Sequence, residues 1–131
     1  MKNGLHQQNT FTETEFDAKF ENITFIQNAF IRVSFESNEF TGIIFNECNF
    51  NDIDFSKAKL TNVVFKDCTF SDISFKRATL NNVEIPRIDW NEVDFTDATF
   101  HNAFINCQKL DGKASSLFLK YHSKGGIHLI T

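Results

Sequence analysis

Every fifth residue from Phe20 to Leu110 is a large hydrophobe, and nothing else in the chain constrains its fold so tightly. The run reads Phe20, Phe25, Phe30, Phe35, Phe40, Phe45, Phe50, Phe55, Leu60, Phe65, Phe70, Phe75, Leu80, Ile85, Trp90, Phe95, Phe100, Ile105 and Leu110. A fixed period marks a repeat architecture and outranks local signals. On an α-helix, residues five apart lie about 140° apart around the axis, so no stripe forms. On a flat strand, an odd spacing sends successive side chains to opposite faces. The chain must therefore turn once per quintet, with the fifth residue always pointing inward.

A finer pattern counts the sides of the coil. The residue two before each large hydrophobe is small or thin at Ala18, Asn28, Asn38, Cys48, Ala58, Cys68, Ala78 and Ala98. It is β-branched at Ile23, Val33, Ile43, Ile53, Val63, Ile73, Val83 and Val93, with Ile88 the exception. The two classes alternate, so the true period is ten. Like stacks on like only if each coil has an even number of sides, and two sides cannot enclose a core. Four sides and twenty residues per coil is the simplest solution.

These quintets, such as Phe50-Asn51-Asp52-Ile53-Asp54, Phe70-Ser71-Asp72-Ile73-Ser74 and Leu80-Asn81-Asn82-Val83-Glu84, resemble those of the pentapeptide-repeat proteins. The resemblance implies an all-β, right-handed quadrilateral parallel β-helix of about four and a half coils, over residues 16–110. One departure is visible. The family usually places Asp or Asn just before the central hydrophobe; here these residues favour the place two after it.

The 131 residues then divide into an N-terminal arm and cap (1–15), the repeat region (16–110) and a C-terminal cap (111–131). Phe11 and Phe16 are five apart but out of step with Phe20, and one of them is expected to cover the open core. Asp111-Gly112 reads as a turn. Leu117, Phe118, Leu119 and Tyr121 suit a short closing helix within 113–123. Ile127-His128-Leu129-Ile130 reads as a small strand that packs on the cap or makes a dimer contact; homodimerisation through this end is common in the related proteins. Cys48 and Cys68 should stack, facing inward, as small hydrophobes rather than a disulfide, with Cys107 outside. No apolar run reaches membrane-spanning length and residues 1–6 lack a signal-peptide core, so the cytoplasm is the default location.

Folded on a period of twenty, the sequence places its acids on one side. Glu47 and Asp67 occupy one corner, Asp52, Asp72 and Glu92 the next, with Asp89 on the flat between them and Asp54 and Asp94 just around the second corner. Lys66 and Arg87 interrupt the patch, and Lys57, Lys59, Lys76 and Arg77 form a basic neighbour. The net charge of −4 hides this segregation. Asn22, Asn62, Asn82 and Asn102, with Gly42 between, form a structural ladder. Ile44, Val64 and Phe104, with Ile26 and Ile31 nearby, form an outward apolar column suited to an interface.

Chemistry is poorly represented. The histidines are scattered, no spacing fits a metal site, and no phosphate loop or nucleophile motif occurs. Carboxylates on a convex rod lack the enclosure that catalysis requires. The expectation is a non-enzymatic protein without metal or cofactor, and its acidic side should repel nucleic acid. Carboxylates repeat about every 4.8 Å along a column, so two or three parallel columns approach the linear charge of duplex DNA, about one per 1.7 Å of axis. The rod therefore suits the groove of a DNA-binding protein. Similarity to the quinolone-resistance Qnr members implies gyrase or topoisomerase IV as the target. Those proteins have longer coils and projecting loops, for which the unbroken register here leaves no room. A CRISPR effector complex or a restriction enzyme fits the same charge logic. The competing reading is a general interaction scaffold that uses the apolar column and the tail.

Overall fold

The computed structural model describes residues 1–14, 16, 18–114, 129 and 130. They form the expected right-handed, four-sided parallel β-helix, with about five coils. Strands β1 (Lys2–Gln7), β3 (Lys19–Ile26), β5 (Glu39–Asn46), β7 (Lys59–Lys66), β9 (Thr79–Ile85) and β11 (Thr99–Ile105) stack into one parallel sheet. Strands β2 (Thr10–Thr12), β4 (Ala29–Ser34), β6 (Asn49–Asp54), β8 (Thr69–Ser74) and β10 (Val93–Asp94) stack into the other.

Each sheet wraps two sides because its strands bend at a left-handed residue. Asn22, at φ 54°, bends β3, and Arg32, at φ 51°, bends β4. The same conformation recurs every five residues at Gln27, Ser37, Gly42, Glu47, Asp52, Lys57, Asn62, Asp67, Asp72, Arg77 and Asn82. Positive φ is tolerated best by Gly, Asn and Asp. This accounts for the displaced Asp and Asn of the repeat: they stand at the corners.

The fifth residues fill the interior in four ring columns. Phe20 stacks on Phe40 at 4.7 Å, Phe45 on Phe65 at 4.9 Å and Phe55 on Phe75 at 4.8 Å. Rings of adjacent columns meet edge to face, as Phe45 meets Phe50 at 5.1 Å. Each buried ring contributes about 2–3 kcal/mol of transfer free energy, and each well-oriented pair about 0.5–1.5 kcal/mol more. The alternating thin and branched residues fill the space beside the rings. Asn28 takes a thin position and ties two coils together, accepting from the Asn9 amide at 2.7 Å and donating to the His6 carbonyl at 3.0 Å.

Both ends differ from the expectation. With β3, β5, β7 and β9 opening coils two (19–38), three (39–58), four (59–78) and five (79–98), residues 1–14 include two strands in register with coil two, with Gly4 opposite Ile23 and Phe11 opposite Phe30, rather than a polar arm. Phe11 stacks on Phe30 at 5.2 Å and Phe16 on Phe35 at 5.3 Å, so both, partly buried, cover the open end of the core as the rings of coil one, where one of them was expected to do so. Phe16 and Phe20 are only four apart, making this coil one residue shorter than the others; hence the apparent loss of step. At the other end the chain reverses at Asn106 and Cys107, whose φ values of 52° and 63° suit a two-residue hairpin turn. Strand β12 (Gln108–Ala114) then runs antiparallel to β11, and β13 (Leu129–Ile130) pairs antiparallel with β12. Asp111 and Gly112 therefore lie within a strand, and Leu110 reaches the core from a reversed strand opposite Ala103. The helix expected within 113–123 falls largely outside the described residues.

Candidate functional site

The corner residues carry the outward chemistry, because a left-handed residue turns its side chain away from the core and the coil repeats it one rung higher. On one corner Gln27 donates to Glu47 at 2.9 Å, and Asp67 follows in the same column. On the next, Arg32 pairs with Glu13 at 3.0 Å, and Asp52 and Asp72 continue the column. Glu47, Asp52, Asp67 and Asp72 are all exposed, on the two edges of one side of the rod.

The other four sequence-selected acids are engaged locally. Asp54 accepts from the Ser56 amide at 2.8 Å. Asp94 accepts from the Thr96 amide and hydroxyl at 2.9 and 2.6 Å, and Lys76 lies 3.6 Å from it. Glu92 reaches the Asp72 amide at 3.1 Å. Asp89 is not on a flat side. It caps a 3-10 turn, Trp90–Glu92, by accepting from the Asn91 amide at 2.9 Å.

That turn marks a break in the rod. Pro86, the single proline of the chain, has no amide to donate and ends β9 at Ile85. Arg87 stands where Glu47 and Asp67 are left-handed but does not take that conformation. Strand pairing resumes only at Val93 opposite Ile73. Trp90, at the position of Phe30, Phe50 and Phe70, is only partly buried and meets Phe95 edge to face at 6.1 Å. The register continues without insertion, as expected, yet this side of coil five is no longer a β-ladder. Asn106 patches the gap, bonding the Ile88 amide at 2.8 Å and its carbonyl at 2.9 Å.

Two clefts flank the break, where a plain convex surface was expected. One of about 290 Å³ is lined by Asp72, Ile73, Trp90, Asn91, Glu92, Val93 and Asp94. The other, about 510 Å³, is lined by Phe65, Asp67, Cys68, Thr69, Pro86, Arg87 and Cys107. Both lie within the acidic side. The sequence signals for them were Pro86 and the cation at the Arg87 corner, whereas Phe70 and Trp90 read as ordinary core positions.

Lys57 and Arg77 occupy the neighbouring basic corner, with Asp97 ending their column, and with Ser56, Lys76 and Thr96 they line a cleft of about 350 Å³. Lys59 lies beyond this corner, on β7 opposite Glu39. The apolar column is shorter than expected. Ile44 is opposite Val64, but Glu84 stands between Val64 and Phe104. Ile44 and Phe104 are 45% and 41% exposed, too far apart in the stack to form one patch. Ile31 lies in the other sheet. The asparagine ladder is present: Asn82 donates to Asn62 at 3.1 Å and Asn102 to Asn82 at 2.7 Å.

All three cysteines are free thiols. Cys48 donates to the Phe25 carbonyl and Cys68 to the Phe45 carbonyl. The contact with Cys48, together with burial, pushes the Cys68 thiol well above its ordinary range. Among the described residues, no three His, Cys, Asp or Glu side chains converge as a metal site.

The description "Pentapeptide repeat region" matches residues 9–85 and 29–114. A comparison with curated protein sequences finds no match. Among solved structures, the chain is similar to full-length QnrB1, a plasmid-mediated fluoroquinolone resistance protein, at 17% identity and a TM-score of 0.51, covering 76% of this chain and 59% of that one. It also matches HetL, a pentapeptide repeat protein involved in heterocyst differentiation regulation in the cyanobacterium Nostoc sp. strain PCC 7120, at 15% identity and a TM-score of 0.35, over 79% of this chain and 55% of that one. The chain thus spans little more than half the length of these two proteins. With the family description matched across most of the coils, and the corner-and-ring repeat visible in each, the chain belongs to the pentapeptide-repeat family.

Proposed function

We propose that the protein is a non-enzymatic DNA mimic, whose acidic side occupies the DNA-binding groove of a protein target. One observation carries the reading: Glu47, Asp67, Asp52 and Asp72 stand exposed in two parallel columns on a rigid ladder. Rungs of that ladder repeat at about the ring spacing, 5.3 Å between Phe50 and Phe70. Two columns at such a spacing carry about one charge per 2.7 Å, between the densities of a DNA strand and a duplex, about one per 3.4 Å and one per 1.7 Å. A preformed array of this kind needs no reordering to meet a basic groove, so little conformational entropy is lost on binding.

Gyrase or topoisomerase IV is the first candidate target, by analogy with the resistance protein QnrB1. Other DNA-handling complexes, a CRISPR effector or a restriction enzyme among them, are alternatives with the same groove chemistry. The scaffold reading, through Ile44, Val64 and Phe104, is weakened by Glu84, which divides that column.

Capture from host lysate at low and high salt, using the wild-type rod and an Asp52→Lys, Asp67→Lys, Asp72→Lys variant, tests the proposal. A mimic should retain a DNA-binding protein at low salt and release it at high salt. The charge-reversed rod should retain none. Undiminished capture by that variant would exclude the acidic side as the interface; loss on Ile44→Asp instead would favour the scaffold.

A further inference from the structure

Among the described residues, the break in coil five leaves a strand edge open in the middle of the acidic side. Thr69 bonds back to coil three, its amide donating to the Cys48 carbonyl at 3.0 Å. Alternation along a parallel ladder then points the Phe70 N–H and C=O toward coil five. Phe50, one coil earlier, has Phe70 as its strand partner. Phe70 has no such partner among the described residues, because β10 pairs with β8 only at Ile73 and Ser74. The next amide facing coil five, that of Asp72, is met by the Glu92 carboxylate rather than by a strand. At the preceding corner, the Gln27 and Glu47 amides each bond a carbonyl one coil on, those of Asn46 and Lys66. No equivalent backbone bond from Asp67 occurs among the described residues.

Side chains agree with the backbone. The Phe50 ring is 1% exposed, whereas Phe70 is only partly buried. Its neighbours in the chain line the two clefts, Cys68 and Thr69 the one and Asp72 and Ile73 the other. Unmet backbone groups beside a half-covered ring are what an added strand satisfies: main-chain bonds supply affinity and alternate side chains supply selectivity.

We propose that the open edge of β8 at Phe70 is a strand-addition site for an extended, basic peptide segment of the protein partner. The proposal rests on the acidic-side reading above and narrows it, giving the partner a defined local conformation. Charge selects the occupant. Asp67, Asp72, Glu92 and Asp94 line the two clefts, where Arg87 is the one cation among the described lining residues. An added strand would send one set of side chains inward over Phe70 and the alternate set outward to the carboxylates. Lys or Arg alternating with a β-branched residue meets both demands, and nucleic acid meets neither.

The probe is fluorescein-labelled acetyl-Lys-Val-Lys-Val-Lys-amide, with the same peptide N-methylated at all five residues as a control of equal charge that cannot donate in either strand direction. Binding to the full chain is followed by anisotropy at low salt, and amide exchange by NMR. The unmethylated peptide should bind at least about tenfold more tightly than the control, since the control cannot donate to the edge. It should slow exchange at the Phe70 amide and leave Phe50 unchanged. Asp67→Lys with Asp72→Lys should weaken it further. Equal binding of the two peptides, no binding of either, or unchanged Phe70 exchange would overturn strand addition. Equal binding that charge reversal abolishes would sink strand addition alone and leave the acidic-side reading standing. Methylation-sensitive binding that is indifferent to charge reversal would refute the basic occupant and count against that reading as well.

Discussion

Coils two to four and the third side of coil five are built from the same five-residue unit, yet only the former close into a ladder. In coil four the corner is Lys66-Asp67, and this stretch pairs back onto coil three, Lys66 opposite Asn46 and Thr69 opposite Asn49; in coil five the equivalent residues are Pro86-Arg87, and no such pairing onto coil four occurs among the described residues. One missing amide and one residue without a left-handed corner release the segment 86–92, and a 3-10 turn replaces the strand. The difference separates two tasks. Inward rings set the register, which survives the break; corners and amides close each side, and that closure is lost locally. A solenoid can therefore open one side without an inserted loop.

Substitutions can break this comparison at either region. The largest effect is expected from Phe65→Asp, which places an unpaired carboxylate among rings in a fully buried column, at a cost of several kcal/mol. That is comparable to the whole stability of a small domain, about 5–15 kcal/mol. Circular dichroism should show no cooperative β transition. Phe70→Asp, at the half-covered position, should remain folded with a lowered Tm. Equal behaviour of the two variants would mean that the break does not relax the core.

Corner closure is tested by Gly42, whose φ is +65°. A Cβ there would lie 2.7 Å from the Asn22 side-chain oxygen. Gly42→Ala should cost about 1–2 kcal/mol in denaturant unfolding, from the left-handed backbone and the displaced amide together. Gly42→Asn should cost less, because Asn tolerates the corner.

A smaller change repairs the break. Pro86→Lys with Arg87→Asn restores an amide and a corner-forming residue, copying the chemistry of Lys66-Asp67. Tm should rise by a few degrees, about the shift that 0.5–1 kcal/mol produces in a domain of this size. Exchange at the Phe70 amide should slow without any peptide present. A repaired chain with an unprotected Phe70 amide would show that the segment 86–92 is held out by something other than these two residues.

Much of this was legible beforehand, and the exceptions have physical causes. Side number and coil length followed from the alternation of Ala18, Ile23 and their successors, because stacking makes size periodic. The acidic corners followed from the same period. Coil one was missed because a single omitted residue between Phe16 and Phe20 shifts the phase, although Phe11 and Phe16 kept the five-residue spacing. Leu110 fitted the spacing by coincidence, since a reversed strand also places alternate side chains inward. The cleft was missed because periodicity registers only inward positions. Pro86 and Arg87 are visible departures, but their effect falls on backbone hydrogen bonds and corners, which a hydrophobic pattern does not report. Asp54, Asp89 and Asp94 read as surface charge for a related reason: a carboxylate that bonds an amide two residues on differs from a free one only in three dimensions.

The acidic side as a stand-in for DNA is tested most directly by competition. With the captured target immobilised, labelled duplex DNA and the wild-type rod are added together, and the duplex remaining bound is measured as rod concentration rises. The account predicts mutual exclusion, with duplex displaced in full and the Asp52→Lys, Asp67→Lys, Asp72→Lys rod unable to displace it. A ternary complex in which rod and duplex are bound to the target at once, at saturating concentrations of both, would contradict it.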